Sequence, residues 1–325
     1  MIIVTGGAGF IGSALIASLN SRGVTDILVV DRLGADERWK NLRNLSFADY
    51  VEKDDFLQMV IENKLAPPIE AVLHMGASSS TTETDASYLI KNNYEYTKLL
   101  AQWTAHANVR FIYASSGATY GDGSAGFSDD EDALETLRPL NMYGYSKHLF
   151  DLWARRTGLL KKIVGLKYFN VFGPNEYHKA DMRSFPLKAF EQINATGKVR
   201  LFRSYNPQYA DGEYVRDFLY IKGAVDMTLF FLDNPQIAGL FNIGTGEART
   251  WNDLVKAVFA ATGKDPKIEY IEMPESIRRQ YQYYTCADIT KLRKAGYKKQ
   301  TTPLESAIND YVQNYLQEHR YLAGG

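Results

Sequence analysis

The chain opens on a β-branched run, Ile2 to Thr5, that stops at a glycine cluster; Ile11, Leu15, Ile16 and Leu19 then recur at helical spacing before Gly23. That pattern predicts a strand, a tight turn and an amphipathic helix. Residues 26–31, Asp-Ile-Leu-Val-Val-Asp, read as a second buried strand that closes a βαβ unit. Further apolar runs lie at 71–77, 110–116 and 163–171, with helix-like segments around 87–107 and 143–158. The runs are continuous rather than alternating, as in a parallel sheet covered by helices on both faces. The expected fold class is therefore α/β, a doubly wound parallel sheet with a smaller, mixed C-terminal domain.

Past Gly173-Pro174 the rhythm loosens, and residues 175–213 read as polar, aromatic and loop-rich. This places a dinucleotide-binding domain at 1–172 and a substrate-binding domain at 173–325. The division is interleaved, because segments at about 215–245 and 281–294 have the look of first-domain strand and helix. No internal repeat or low-complexity segment interrupts the chain.

Composition narrows the function. Among 325 residues, 37 basic and 38 acidic side chains nearly cancel, so no strongly basic face is on offer for nucleic acid. No apolar stretch reaches the roughly 18–20 residues a membrane span needs. A single cysteine, Cys286, can form neither an intrachain disulfide nor a cysteine zinc site, and no other metal-ligand spacing stands out. Met1 to Gly6 reads as a strand rather than a leader, so a reducing, cytoplasmic setting is expected.

The glycine cluster carries the first chemistry. Gly6, Gly7, Gly9 and Gly12 satisfy both G-x-G-x-x-G and G-x-x-G-x-x-G between a strand and a helix, and Asp31 ends the next strand. Missing side chains there let backbone N–H groups and a helix N-terminus approach a pyrophosphate. A nicotinamide dinucleotide in a Rossmann-type domain is the expected ligand. Asp31 by itself suits the ribose diol of NAD, whereas Arg32, with Arg38 and Lys53 nearby, can neutralise a 2′-phosphate. The balance favours NADP, with NAD as the alternative.

The second constellation is Tyr143 and Lys147, placed at i and i+4 and so on one helix face. A phenol of ordinary pKa about 10 needs roughly 4 kcal/mol of help to ionise near pH 7. A lysine ammonium and an oxidised nicotinamide can supply that help. The phenolate then takes a proton from a hydroxyl while hydride leaves the same carbon. Ser116, at the carboxyl end of a buried run, can hydrogen-bond the reacting oxygen.

With the glycine turn, Ser116, Tyr143, Lys147 and Asn93 in place, the sequence resembles an extended short-chain dehydrogenase/reductase over essentially its whole length. Within that family the similarity runs to enzymes that act on ADP-heptose. It is carried by residues 76–83 (Gly-Ala-Ser-Ser-Ser-Thr-Thr-Glu), 141–147, 168–179 (ending Glu-Tyr-His-Lys) and 216–218. The resemblance implies oxidation of the heptose C6″ to a transient ketone and return of hydride to the other face. Tyr143 would be one acid/base and Lys179 the second. It also implies a cofactor lined by Phe10, Ile11, Met75, Gly76, Ala77, Ser78, Ser79, Asn92, Lys147, Val171 and Lys179, besides the glycines and charges already named. Asn170, Asp181, Lys188, Phe202, Arg203, Ser204, Tyr205, Arg216 and Tyr281 would line the sugar nucleotide. Homo-oligomers, with the pentamer as one form, are implied too.

The chain departs from the pattern at Asp181 and Lys188, where serine and histidine are expected, and in a longer loop over 205–215. A 4,6-dehydratase would need an acid beside the catalytic serine, but Gly117-Ala118 follows Ser116. A UDP-hexose 4-epimerase shares the serine, tyrosine and lysine and is the main alternative. A non-catalytic NAD(P)-sensing protein is disfavoured because both Tyr143 and Lys147 are present.

Overall fold

A computed structural model describes residues 1–65, 68–278 and 281–324. Its first part comprises β1 (Ile2–Thr5), α1 (Phe10–Ser21), β2 (Ile27–Asp31), β3 (Asp49–Glu52), α2 (Lys53–Ile61) and β4 (Ala71–His74). A helical run follows, made of α3 (Ala86–Leu89), a π-helical stretch Ile90–Glu95 and α4 (Tyr96–His106). Then come β5 (Arg110–Ser116), α5 (Met142–Arg156), β6 (Val164–Tyr168), β7 (Asn170–Phe172), α6 (Phe185–Thr196) and β8 (Val199–Phe202). The remainder holds β9 (Val215–Arg216), β10 (Phe218–Tyr220), α7 (Ile221–Asp233), β11 (Gly239–Ile243), β12 (Arg249–Thr250) and α8 (Trp251–Ala261). β13 (Ile268–Ile271), α9 (Glu275–Arg278), α10 (Thr290–Lys294) and α11 (Leu304–Tyr311) complete it.

Seven strands form one parallel sheet in the order β11-β6-β5-β4-β1-β2-β3. Their continuous apolar sequence follows from burial on both faces. Ile2, Val4, Ile27 and Val29 feed a layer shared with Leu15 and Ile16 of α1, Met227 and Phe231 of α7, and the C-terminal helices. Ile3, Leu28 and Val30 point the other way, to Phe56 of α2, Leu100 of α4 and Phe150 of α5. The strand order reverses between β1 and β4, so the crevice beyond their carboxyl ends is the point at which such sheets take ligands.

Two segments differ from the sequence reading. The run expected at 163–171 splits: β6 stops at Tyr168, the Phe169 amide donates to Ile243, and β7 leaves the sheet to pair with β10. The stretch at 175–213, expected to be loop-rich, contains α6 and β8. The helix signals were present but sat among aromatic and polar residues: Ser184 at the N-cap, Pro186 in the first turn, and Gly197 at φ +70° after the last turn. Leu187, Ala189 and Ile193 are its buried stripe. β8 pairs in parallel with β13 and β9 antiparallel with β12, so this part of the molecule is mixed. Among the described residues no helix is long and apolar enough to cross a membrane.

A buried polar chain ties the switch point together. The Thr97 hydroxyl donates to the Asn93 carbonyl, which makes Nε2 of His74 the donor to Thr97 at 2.8 Å. Nδ1 of His74 then accepts from Thr5 at 2.6 Å, joining β1, β4 and α4. Burial, helped by repulsion from Lys147, holds the His74 imidazole down to about 3. Unfolded histidine takes up a proton below about 6.5 and this one does not, so its contribution is whole above that pH and is lost on acidification towards 3. Between pH 7 and pH 4 the unfolding free energy from urea titrations should fall, this group contributing about 1.4 kcal/mol per pH unit below about 6.5. His74→Asn should flatten that fall, and an unchanged slope would contradict the assignment.

Candidate active site

Along the crevice runs a cleft of about 830 Å³. Its floor is the turn from β1 into α1. Gly9 caps α1 without a side-chain bond of its own, and its amide donates to Gly6 at 3.0 Å. A Cβ on Gly12 would overlap the Gly6 carbonyl oxygen, which explains why α1 can start so close to the strand. The first-turn amides of Phe10, Ile11 and Gly12 have no partner within the helix and face the cleft wall. Such a cradle fits the pyrophosphate of a dinucleotide.

At one end stands Asp31. Its carboxylate accepts from the amides of Ala8 at 2.9 Å and Arg32 at 2.7 Å, and burial raises its pKa despite those bonds. Arg38 reaches it at 3.4 Å but is held mainly by Asp36, through Nε at 2.9 Å and Nη2 at 2.7 Å. Arg32, Arg38 and Lys53 all line this end, and Lys53 pairs with the exposed Asp54 at 2.7 Å. Of the residues expected around the cofactor, Gly6, Gly9, Met75, Ala77, Ser78, Ser79, Asn92 and Val171 line the cleft as well. Gly76 does not; its amide faces Thr5 at 3.3 Å.

At the other end, β5 delivers Ser116, whose Oγ accepts from the Ala118 amide at 3.1 Å. The helix bearing Tyr143 and Lys147 docks on the same turn. Asn141 caps α5 by accepting from Gly144 at 2.8 Å, and a Cβ on Gly144 would stand 2.7 Å from the Ala118 carbonyl. The glycine within Tyr-Gly-Tyr-Ser-Lys is therefore a packing requirement. Asn93 holds Ser78 by two backbone bonds and donates to the Ser146 hydroxyl at 3.0 Å. Lys147 is 3% exposed and donates to the Ala114 carbonyl at 2.8 Å; burial lowers its pKa to about 8. Burial raises the Tyr143 phenol, with Ser116 pulling the other way.

Lys179 enters from the segment after β7, its Nζ 5.1 Å from the Phe10 ring centroid, with its pKa lowered by burial. Fully buried Glu176 anchors that segment, accepting from Gly173, from Ser184 amide and hydroxyl at 2.5 Å each, and from Tyr311 at 3.0 Å. Ala180 follows at φ 45°, ψ −123°, a conformation that strains any residue with a Cβ. Its carbonyl accepts from Arg183 at 2.8 Å, and the Asp181 carbonyl accepts from Lys188 at 2.6 Å. Lys188 and Asp181, expected at the substrate, thus brace the backbone beside Lys179 and do not line the cleft.

The remaining substrate expectations divide. Asn170 lines the cleft, but Phe202, Arg203, Ser204, Tyr205, Arg216 and Tyr281 do not. Arg203 lies 3.6 Å from Glu272, the Ser204 amide donates to Asp211 at 2.7 Å, and Tyr205 donates to Glu272. Arg216 is 7% exposed, donates to the Val215 and Gln282 carbonyls, and lies against the rings of Trp251 and Tyr281. Asp217 is not its partner; it accepts from Thr245, Gly246 and Ala287. Trp251, Phe185, Met182 and His178 line the cleft without having been singled out. His178 offered a signal, since it lies within the Glu-Tyr-His-Lys run before Lys179.

Residues 2–244 match the model of the NAD dependent epimerase/dehydratase family. An ADP-L-glycero-D-manno-heptose-6-epimerase of Nitratidesulfovibrio vulgaris is 55% identical over 316 residues, 97% of this chain and 98% of its own. The crystal structure of the Helicobacter pylori enzyme of that name superposes with TM-score 0.82 at 28% identity, covering 96% of this chain and 95% of the other. A Thermus thermophilus UDP-glucose 4-epimerase in complex with NAD superposes with TM-score 0.73 at 26% identity, covering 96% and 97%. Because a methyl on Gly12 displaces the Gly6 carbonyl, Gly12→Ala should weaken dinucleotide binding by about tenfold or more in a fluorescence titration. The fold should remain, since overpacking of this size costs about 1–3 kcal/mol. Unchanged affinity would contradict the cradle.

Proposed function

The chain belongs to the NAD dependent epimerase/dehydratase family, and on that premise we propose that its cleft converts ADP-D-glycero-D-manno-heptose to ADP-L-glycero-D-manno-heptose by inverting C6″. The observation that carries this reading is the meeting of Tyr143 and Lys179 in one cleft. They come from segments far apart in sequence, in a chain similar throughout to enzymes of that name. A bound nicotinamide supplies one capability, taking a hydride from a substrate carbon and giving it back.

The protein's groups handle the protons. Ser116 donates to the C6″ oxygen, and Tyr143, as phenolate, accepts the hydroxyl proton as the C–H bond yields its hydride. Lys147 supports the negative charge on Tyr143. The resulting ketone has no stereochemistry at C6″, so turning the side chain presents its other face. Lys179 then gives a proton to the oxygen as hydride returns to carbon. Desolvation suits Lys179 to that exchange by bringing its amine down from the ordinary lysine range.

Three finer assignments belong to the same proposal. Residues 1–172 with the returning segments hold the dinucleotide, and 173–325 hold the sugar nucleotide. The dinucleotide is NADP, its 2′-phosphate drawing Arg38 from Asp36 and meeting Arg32 and Lys53; an ion pair as exposed as Arg38–Asp36 costs little to exchange. The protein works in the cytoplasm as a homo-oligomer, a pentamer being the form the resemblance implies.

Incubating the protein with ADP-D-glycero-D-manno-heptose and, separately, UDP-galactose, and following epimers by NMR, should show turnover of the ADP sugar alone. Turnover of only the UDP sugar would favour a UDP-hexose 4-epimerase, and no turnover of either a binding protein. Lys179→Met should lower kcat by about 10²–10⁴-fold with cofactor still bound, and unchanged kcat would remove it from the mechanism. Mass spectrometry of nucleotide released from denatured protein should find NADP; NAD alone would defeat the 2′-phosphate assignment.

A further inference from the structure

Behind the catalytic wall lies an ion pair that the mechanism above does not use. Asp151 of α5 and Lys167 of β6 are both completely buried, with Nζ 3.6 Å from Oδ2. Asp151 also accepts from the Tyr113 hydroxyl at 2.8 Å and the Ser115 hydroxyl at 2.7 Å. Lys167 donates to the Thr119 hydroxyl at 2.8 Å and stands 4.4 Å from the centroid of the Tyr120 ring. Thr119 in turn donates to the Ser116 carbonyl at 2.8 Å. One partner of the pair thus grips the residue before Ser116, and the other grips a residue bonded to Ser116 itself.

The pair is hard to explain as a stabilising device. Removing two charges from water commonly costs as much as their attraction returns, and apolar residues of similar volume often serve the fold as well. The layer on this face of the sheet is rich in such residues, including Phe150 and Leu134. Asp151 also lies one helical turn beyond Lys147, on the same face of α5.

We propose that Asp151 and Lys167 are positioning residues for the epimerase reaction: the buried pair clamps the Ser116 turn from both sides and places a carboxylate one turn behind Lys147. This rests on the function proposed above and assigns groups that never touch substrate. The carboxylate opposes the loss of Lys147's proton that burial favours. Other titratable groups face the pair. His74 is held neutral by burial, His148 has its pKa lowered by burial, and Tyr113 and Tyr120 lie well above their ordinary values. Asp129 and Lys291 act on Lys167, and Glu131 on Tyr113, from farther away. Lys179 is set first by burial, then by Glu176 and Lys188.

The test compares full-length wild type with Asp151→Asn and Thr119→Val, measuring kcat and KM for the ADP-heptose against pH and the bound nucleotide of each. Asp151→Asn removes the charge and keeps one carbonyl acceptor, so Tyr113 and Ser115, which donate to different oxygens of Asp151, share one acceptor and one N–H donor in its place. It should lower kcat at pH 7.5 by about tenfold, leave KM within about twofold, and move the basic limb of kcat down by about one pH unit, the size expected of a near charge. Thr119→Val cuts the other arm and should lower kcat by about threefold or more with the basic limb in place. A cofactor-loaded Asp151→Asn protein with an unmoved basic limb would overturn the proposal. If that variant does not fold, Thr119→Val decides, and wild-type kcat there would overturn it. Absence of turnover in the wild type would instead count against the parent reading.

Discussion

Two amines drawn at least partly out of water meet at this site. Lys147 is 3% exposed and Lys179 is half-buried beside Phe10, and burial lowers the pKa of both. A lysine in water would hold its proton too firmly to exchange it near neutral pH, and hydration would weaken its effect on a neighbouring phenol. Burial acts against the charge on both amines, and each has a counterweight: the Ala114 carbonyl and Asp151 for Lys147, and Glu176 for Lys179. Much of the surrounding fold can be understood as the means of keeping these groups dry, charged and in place.

The cofactor floor and the second amine are built as one unit. Asn41 is almost fully buried and donates to the Ala8 carbonyl at 2.8 Å and the Asn175 carbonyl at 3.0 Å. Asn175 donates to Ser13 of α1 at 2.9 Å, while Glu176, next in sequence, is held by Tyr311 of α11. The glycine turn and the Lys179 segment are therefore tied through Asn41, which belongs to neither motif, and through Asn175 towards the end of the second. The strain at Ala180 is sustained by that enclosure, with Arg183 and Lys188 bonded to the carbonyls on either side of the bend.

The sheet was readable because apolar runs buried on both faces need no tertiary information to be recognised, and the glycine turn because its spacing follows from backbone geometry. Tyr143, Lys147 and Ser116 were readable as a set: one helix face and one strand end converge on the same cleft. The split after Tyr168 was not readable, since β7 has the composition of a continuing strand and leaves only because β10 is there to pair with it. Helix α6 carried a proline, a capping serine and a terminal glycine, but its short apolar stripe was hidden among aromatic residues. Asp151 and Lys167 carried no signal in the sequence. Their burial depends on α5 lying against β5 and β6, which spacing along the chain does not reveal. Arg216 was noticed for its charge, yet the Gln282 carbonyl and the rings of Trp251 and Tyr281 that it meets come from segments more than thirty residues away.

The central claim is that the hydrogen leaving the sugar carbon is the one that returns to it. ADP-heptose carrying deuterium at C6″, turned over in ordinary water and examined by NMR and mass spectrometry, tests this directly. The account predicts inverted product that keeps its deuterium at C6″ in full. Replacement of that deuterium by solvent hydrogen in step with inversion would contradict it, because the carbon would then have exchanged a proton with water rather than a hydride with the enzyme.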